Sequence, residues 1–445
     1  MKPRLDGTPT AALNGRAAIR LTGMWAARTR FCGAVTPFWV VAVLVLLSCS
    51  GLSATHSATN ASPTAIQVTP AEGSPNVSPA AASPATPSPS PASSITRGTW
   101  SAAAAMRTAR SYHTATRLPS GKVLVTGGFT GPLGSTGLAS TEIYDPATNT
   151  WSEAAPMLMP RAAHTATLLL NGKVLVVAGR SSGGDSTSAE LYDPGSNSWS
   201  RAGDISVART GHTALLLRSG KVLVWGGYGP AGVNPPAELY DPASNTWSVI
   251  PGTVGHFINV AVALEDARVL TLGDIQNSNF QFAGIFDPSS NSWAPVGLPP
   301  VSMDNAVLLA SGKVLFFGNY AATNKRAAEE YDPASNMWLP VSPMAIALWG
   351  RPVVLPDDRV LVAGTAMNAE PGCGSGDGRV LGRVCANAEI FDPTQGTWAL
   401  TKSMTTDLGA QTMTLLANGR VLVAGGNLPP IPDSTAASEI FDPTT

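Results

Sequence analysis

Short apolar runs, grouped in fours and separated by polar turns, set the pattern of the chain. Between Arg161 and Ser200 one group reads RAAHTATLLLNGKVLVVAGRSSGGDSTSAELYDPGSNSWS. HTATLLL and KVLVVAG meet across Asn171-Gly172, and Asn-Gly between apolar runs is a strong hairpin signal because both residues accept positive φ. AELY follows a Gly/Ser-rich loop, and SWS follows DPGSN, whose residues each favour a tight turn. Four antiparallel strands leave two open faces and two edges, so such a sheet does not stand alone. The unit predicts copies of itself.

The chain supplies them. Seven Asp-Pro turns begin at Asp145, Asp193, Asp241, Asp287, Asp332, Asp392 and Asp442, each preceded by Tyr or Phe. Six residues past the first six of these stand Trp151, Trp199, Trp247, Trp293, Trp338 and Trp398. Seven hairpin turns precede them, and glycine follows the second strand each time, from Gly127 and Gly179 to Gly425. Four strands per repeat at a spacing of roughly 45 to 60 residues is the pattern of propeller blades.

Gly-Gly after the second strand, then Tyr-Asp-Pro, then Trp resembles the kelch repeat. The doublet is kept at Gly127-Gly128, Gly226-Gly227 and Gly425-Gly426, and reads Gly179-Arg180, Gly273-Asp274, Gly318-Asn319 and Gly364-Thr365 elsewhere. The resemblance covers Trp100 to Thr445. It implies an all-β, seven-bladed β-propeller of four-stranded antiparallel blades, spanning residues 98–445. The last repeat stops at Asp442-Pro443-Thr444-Thr445 without its Trp, while the first begins at Gly98-Thr99-Trp100. The two ends complete one DPxxxxW unit, so the N-terminal strand around Trp100 is expected to finish blade seven and close the ring.

Residues 1–49 hold six basic residues before a run, Phe38 to Leu47, that is short for a membrane span. A basic segment, a short apolar run and small residues describe an export signal. Met24 as the start would give this signal ordinary length. Leu46-Leu47-Ser48-Cys49 resembles a bacterial lipobox, which implies lipidation at Cys49; an uncleaved anchor and a plainly cleaved signal stay open. All three place the remainder outside the cytoplasm, membrane-anchored or secreted. Residues 50–97 are Ser, Thr, Ala and Pro with little to bury, a disordered linker with a reach on the order of 100 Å.

A net charge of -1 and 13% charged residues exclude a general nucleic-acid or anionic-membrane binder. The short turns share one face, whereas the variable second-to-third loops share the other, where binding on a rigid scaffold usually sits. The longest of these holds Cys373 and Cys385, expected to form a disulfide in an exported chain. His113, His164 and His212 each stand three residues after an Arg, at the start of the innermost strand. The same slot holds Asn259, Asp304, Gly350 and Gln411 in later blades, with His256 in the Arg slot of blade four. These residues are either a ligand-holding ring at the channel mouth or inter-blade packing, and recurrence in kelch-like repeats favours packing. Glu142, Glu190 and Glu238 are expected to pair with Arg110, Arg161 and Arg209.

Some kelch-like propellers are copper radical oxidases resembling galactose oxidase, which implies two Tyr, two His and a Cys joined to one Tyr. No such set is discernible here, and no metal or other cofactor is expected. Scattered loop charges such as Arg180, Asp185, Arg379 and Arg383 leave a carbohydrate-active enzyme, hydrolase or oxidase, as the alternative. The expected role is a monomeric, non-catalytic binding or adhesion module recognising a protein or glycan, touching a membrane only through its anchor.

Overall fold

In the computed structural model, the described residues are 98–445 except 132–134, 231–234, 254–255, 276–280, 300–304, 321–324, 347, 349, 365–386, 407, 410 and 428–432. They form seven four-stranded antiparallel sheets, one per blade, plus a two-residue hairpin. Blade one runs Thr114–Arg117, Val123–Thr126, Thr141–Asp145 and Thr150–Ala154, from the channel outward. The innermost strands of neighbouring blades adjoin around the ring.

The second strand of each blade explains its own sequence. VLVT, VLVV, VLVW and the VLVA runs of blades six and seven are buried at every position. A strand covered on both faces reads as a continuous apolar run, not an alternating one. The cover is the next blade. The core divides into seven apolar clusters, each lying between two consecutive blades: Leu124 with Val174 and Tyr192 between one and two, Val177 with Val222 and Tyr240 between two and three. Between blades seven and one, Leu422 and Ala424 pack with Val123, Val125 and Tyr144.

The turn face is built by side chains. The Asp193 carboxylate accepts the N–H of Gly195 at 2.9 Å, and Asp145 that of Ala147 at 3.0 Å. Asn149, Asn197, Asn245 and Asn336 take left-handed φ near the end of the turn, and their side-chain oxygens accept the hydroxyls of Tyr144, Tyr192, Tyr240 and Tyr331 at 2.8 to 3.0 Å. Tyr, Asp and Asn of the repeat are therefore one turn device. The Trp binds outward: Trp199 Nε1 donates to the Ala155 carbonyl of the preceding blade at 2.7 Å, and Trp151 to Ala104 at 2.8 Å.

Two expectations change. The stretch after Gly273 in blade four is not simply a loop, because its strands lengthen to Val269–Ile275 and Gln281–Asp287. Blade five lengthens in the same way, to Val314–Tyr320 and Lys325–Asp332. In blade two the doublet falls at Ala178-Gly179 and not at Gly179-Arg180, since Val177 there ends the strand as Thr126 does in blade one. Ala178 accordingly holds a left-handed φ of 56°.

Thr99–Ala102 pairs antiparallel with Ser438–Asp442, setting Trp100 opposite Phe441 with ring centroids 4.9 Å apart. The Trp100 Nε1 donates to Thr401 of blade six at 3.3 Å. Trp100→Ala removes this half-buried ring and is expected to cost about 3 kcal/mol, the low end for an aromatic truncation. Urea unfolding checks it, and an unchanged midpoint would show that the strand carries no stability.

Candidate functional site

The polar groups at the loop-face end of the blades form two layers. In the first, Arg161 Nη2 meets Glu190 Oε1 at 2.5 Å while Nη1 donates to the carbonyls of Ala178 and Ser188, each at 2.8 Å. Arg110 with Glu142 and Arg209 with Glu238 repeat the pair at 2.7 Å, all six side chains being almost wholly buried. Burial pulls each Arg below its ordinary value, Arg209 to about 10, with the Glu opposing. The spacing of Arg and Glu in the sequence indicated these pairs.

The second role of the Glu was not legible. Glu190 also accepts the backbone N–H groups of Leu158 and Met159 at 2.7 and 3.0 Å. Glu439 does the same for Thr405 and Thr406 at 2.9 and 2.8 Å, although its Arg slot holds Leu408. Glu389 receives Ala345 and Ile346. Glu142, Glu190, Glu238, Glu389 and Glu439 thus share the task of holding the connector that enters their own blade. In blade four the slot is Gly284 because a Cβ there would lie 2.9 Å from the Trp293 ring.

The histidines form the second layer, at the seams. His164 Nε2 lies 3.1 and 2.9 Å from the hydroxyls of Thr114 and Thr126 in blade one. His212 Nε2 lies 2.8 Å from Thr165 of blade two, and His113 Nε2 3.1 Å from Thr412 of blade seven. Each imidazole reaches back one blade and is buried. Backbone bonds reinforce the seams: Gly128 N–H donates to Arg161 O at 2.9 Å, and Gly426 N–H to Arg110 O at 2.8 Å. The first glycine of the doublet admits this approach, since a Cβ on Gly127 would stand 2.3 Å from the Arg161 oxygen, at a φ of 62°.

Gln411 reaches back too, donating to Ala363 O of blade six at 2.9 Å. His256 and Asn259 lie on the first strand of blade four, with side chains outside what is described. Asp304, Cys49, Cys373 and Cys385 lie outside the described residues. On the loop face itself, Arg180–Ser181 pairs with Gly184–Asp185, and Arg180 Nη1 is 3.5 Å from Asp185 Oδ1. Burial raises the Asp185 carboxyl, only partly offset by Arg180. Leu158 and Met159 are exposed on the neighbouring connector.

A family model for the kelch motif matches residues 109–158 and 161–205, the first two blades. With seven copies of that unit in one ring, the assignment is direct. The chain is a kelch-repeat β-propeller. No curated protein matches the sequence. Among solved structures it is similar to one described as a novel fungal alcohol oxidase with catalytic diversity among the AA5 family, in complex with copper. That likeness has 19% identity and a TM-score of 0.62, covers 78% of this chain and 76% of the oxidase, and bears on fold alone.

The seams of the kelch propeller carry a pH signature. Burial first, then the adjoining Arg charge, lowers His113 and His212 to about 3 and His164 well below 6.5. The unfolded chain binds the extra protons, so this stability is complete above about pH 6.5 and is lost as pH falls toward the folded values. The urea midpoint is expected to decline between about pH 6.5 and 4.5, above the range where most carboxylates titrate. His212→Gln should flatten that decline; an identical slope would mean its imidazole is not buried neutral.

Proposed function

We propose that this propeller is a non-catalytic binding or adhesion module, exported and recognising a protein or glycan through its loop face. A kelch propeller supports a binding or scaffold role in general terms. The observation favouring the loop face is the unequal use of polar groups. The Asp, Asn, Tyr, Arg, Glu and His of the repeat are engaged in turns and seams, while the second-to-third connections differ from blade to blade. Blade one folds its connection back through the Phe129 and Gly137 bridge, blade two forms a two-residue hairpin, and blades four and five extend their strands. One scaffold thus presents several different edges on a single side.

The attachment of the module follows from its first residues. Lipidation at Cys49, with residues 50–97 as spacer, would hold the propeller at the extracytoplasmic side of a membrane; secretion is the other outcome of the same signal. Cys373 and Cys385 would close the longest loop as a disulfide.

The fold likeness to an alcohol oxidase raises an enzyme as the second reading. Copper does not fit the residues described. His113, His164 and His212 sit one to a seam with Nε2 against a Thr hydroxyl, and among the described residues no three His, Cys, Asp or Glu converge on one point.

A glycan array and a pull-down with the purified chain test the proposal. Binding that is lost when residues 365–388 are replaced by a short Gly-Ser link would locate recognition on the loop face. Retention after that change, and after trimming the blade-four and blade-five hairpins, would move recognition off this face.

A further inference from the structure

The rungs nearest the loop face can be compared at four seams. At three of them a Thr hydroxyl meets the imidazole of the following blade: Thr412 with His113, Thr114 with His164, Thr165 with His212. The seam between blades six and seven is built differently. Val353 pairs with Leu361 as Thr116 pairs with Leu124, which places Arg351 on the rung that Thr114 holds in blade one. Gln411 takes the rung of the imidazole, but its amide is spent on the Ala363 carbonyl. Pro352 follows Arg351, and having no N–H it cannot extend the ladder, so the inner strand of blade six is only Val353–Val354.

Arg351 is therefore a cation released from the sheet at the innermost position of the ring. No hydrogen bond or ion pair to it exists among the described residues, and it is not among those with a further partner. Its side chain keeps exposed surface, yet surrounding protein draws its pKa down with no carboxylate acting against that shift. Both conditions hold for a group that water reaches but protein encloses. The central channel of a propeller is such a place. The other described residues on this rung, Thr114, Thr165, Thr213, Val260, Asn305 and Thr412, carry no charge.

The geometry points to Arg351 as the anchor of a carboxylate-binding site in the channel mouth, occupied by a sugar acid. A guanidinium fork takes a planar carboxylate through two parallel N–H···O bonds. One cation balances one carboxylate, whereas a phosphate, at about −1.5 to −2 near neutrality, would leave excess charge in an enclosed site. For the remainder of a sugar, Tyr112, two residues before the inner strand of blade one, offers a hydroxyl on a ring packed against Phe129, whereas Thr114, Thr165 and Thr412 use their hydroxyls at the seams. The assignment deepens the non-catalytic binding role proposed above and rests on it.

The test is calorimetric titration of the full chain in detergent with glucuronate, with glucose and inorganic phosphate as comparison ligands. Saturable glucuronate binding is expected, at least tenfold weaker in Arg351→Gln and unchanged in Arg201→Gln, which alters an exposed Arg on the outer strand of blade two. Arg351→Lys should restore part of the affinity, because it keeps the charge and loses the fork. A thermal melt matching wild type shows that the Gln variant is folded. Absence of glucuronate binding, or equal binding by Arg351→Gln, overturns the site. Arg351-dependent binding in which phosphate exceeds glucuronate overturns the carboxylate assignment. Either result leaves the loop-face proposal intact if the array still returns a ligand lost on loop replacement.

Discussion

Each four-stranded blade has two apolar faces and no helix among the described residues to cover them, so it depends on its neighbours. That constraint explains why the clusters of the core fall at the seams and why the second strands are apolar throughout. It also explains where hydrogen bonding is concentrated. A seam that only packed would slide. Trp Nε1 to carbonyl near the rim, Gly N–H to Arg carbonyl, and imidazole to Thr hydroxyl near the axis fix its register at separate radii. The buried Arg–Glu pairs act within a blade, tying the connector to the sheet at the same depth. Removing one partner of such a pair strands a charge, typically a loss of about 3–5 kcal/mol.

Much of this was legible because repetition amplifies weak local signals. One Asn-Gly or Asp-Pro says little, while seven in register specify a blade count and strand order. The Arg and Glu were legible as a pair in blades one to three, where both recur at fixed spacing: Arg110 with Glu142, Arg161 with Glu190 and Arg209 with Glu238. The task of Glu439 was not, because its partners are backbone N–H groups of a connector with no sequence signature. The extended hairpins of blades four and five were hidden for a related reason. GDIQNSNFQFAG is rich in turn-forming residues, but Phe282 can pack edge-on against Trp293 at 5.7 Å and keep the strands paired farther out.

Arg351 does not stand out in the sequence, because it occupies a slot that holds Thr in four blades. The signal was present one residue later. A proline in an innermost strand marks where the ladder stops, and the residue before it is the one whose side chain need not follow the repeat. The seams that depart from Thr and His lie in blades four to seven, so the ring is chemically lopsided: a regular half built of repeat residues and a half where the repeat has been relaxed. Binding chemistry can be placed in the second half without disturbing the first.

The strand that finishes blade seven has a mechanical consequence. Gly98 leads directly into Thr99–Ala102, which is held by four register pairs along Ser438–Asp442. Any tension arriving through the preceding residues reaches this strand before the rest of the ring. The outermost strand of one blade is then the point at which the ring meets the rest of the chain. Its detachment would uncover Phe441 and the adjoining apolar cluster of blades six and seven while the six other sheets remain whole. Resistance to pulling is thereby set by one short ladder and a stacked Trp100–Phe441 pair, not by the stability of the domain as a whole.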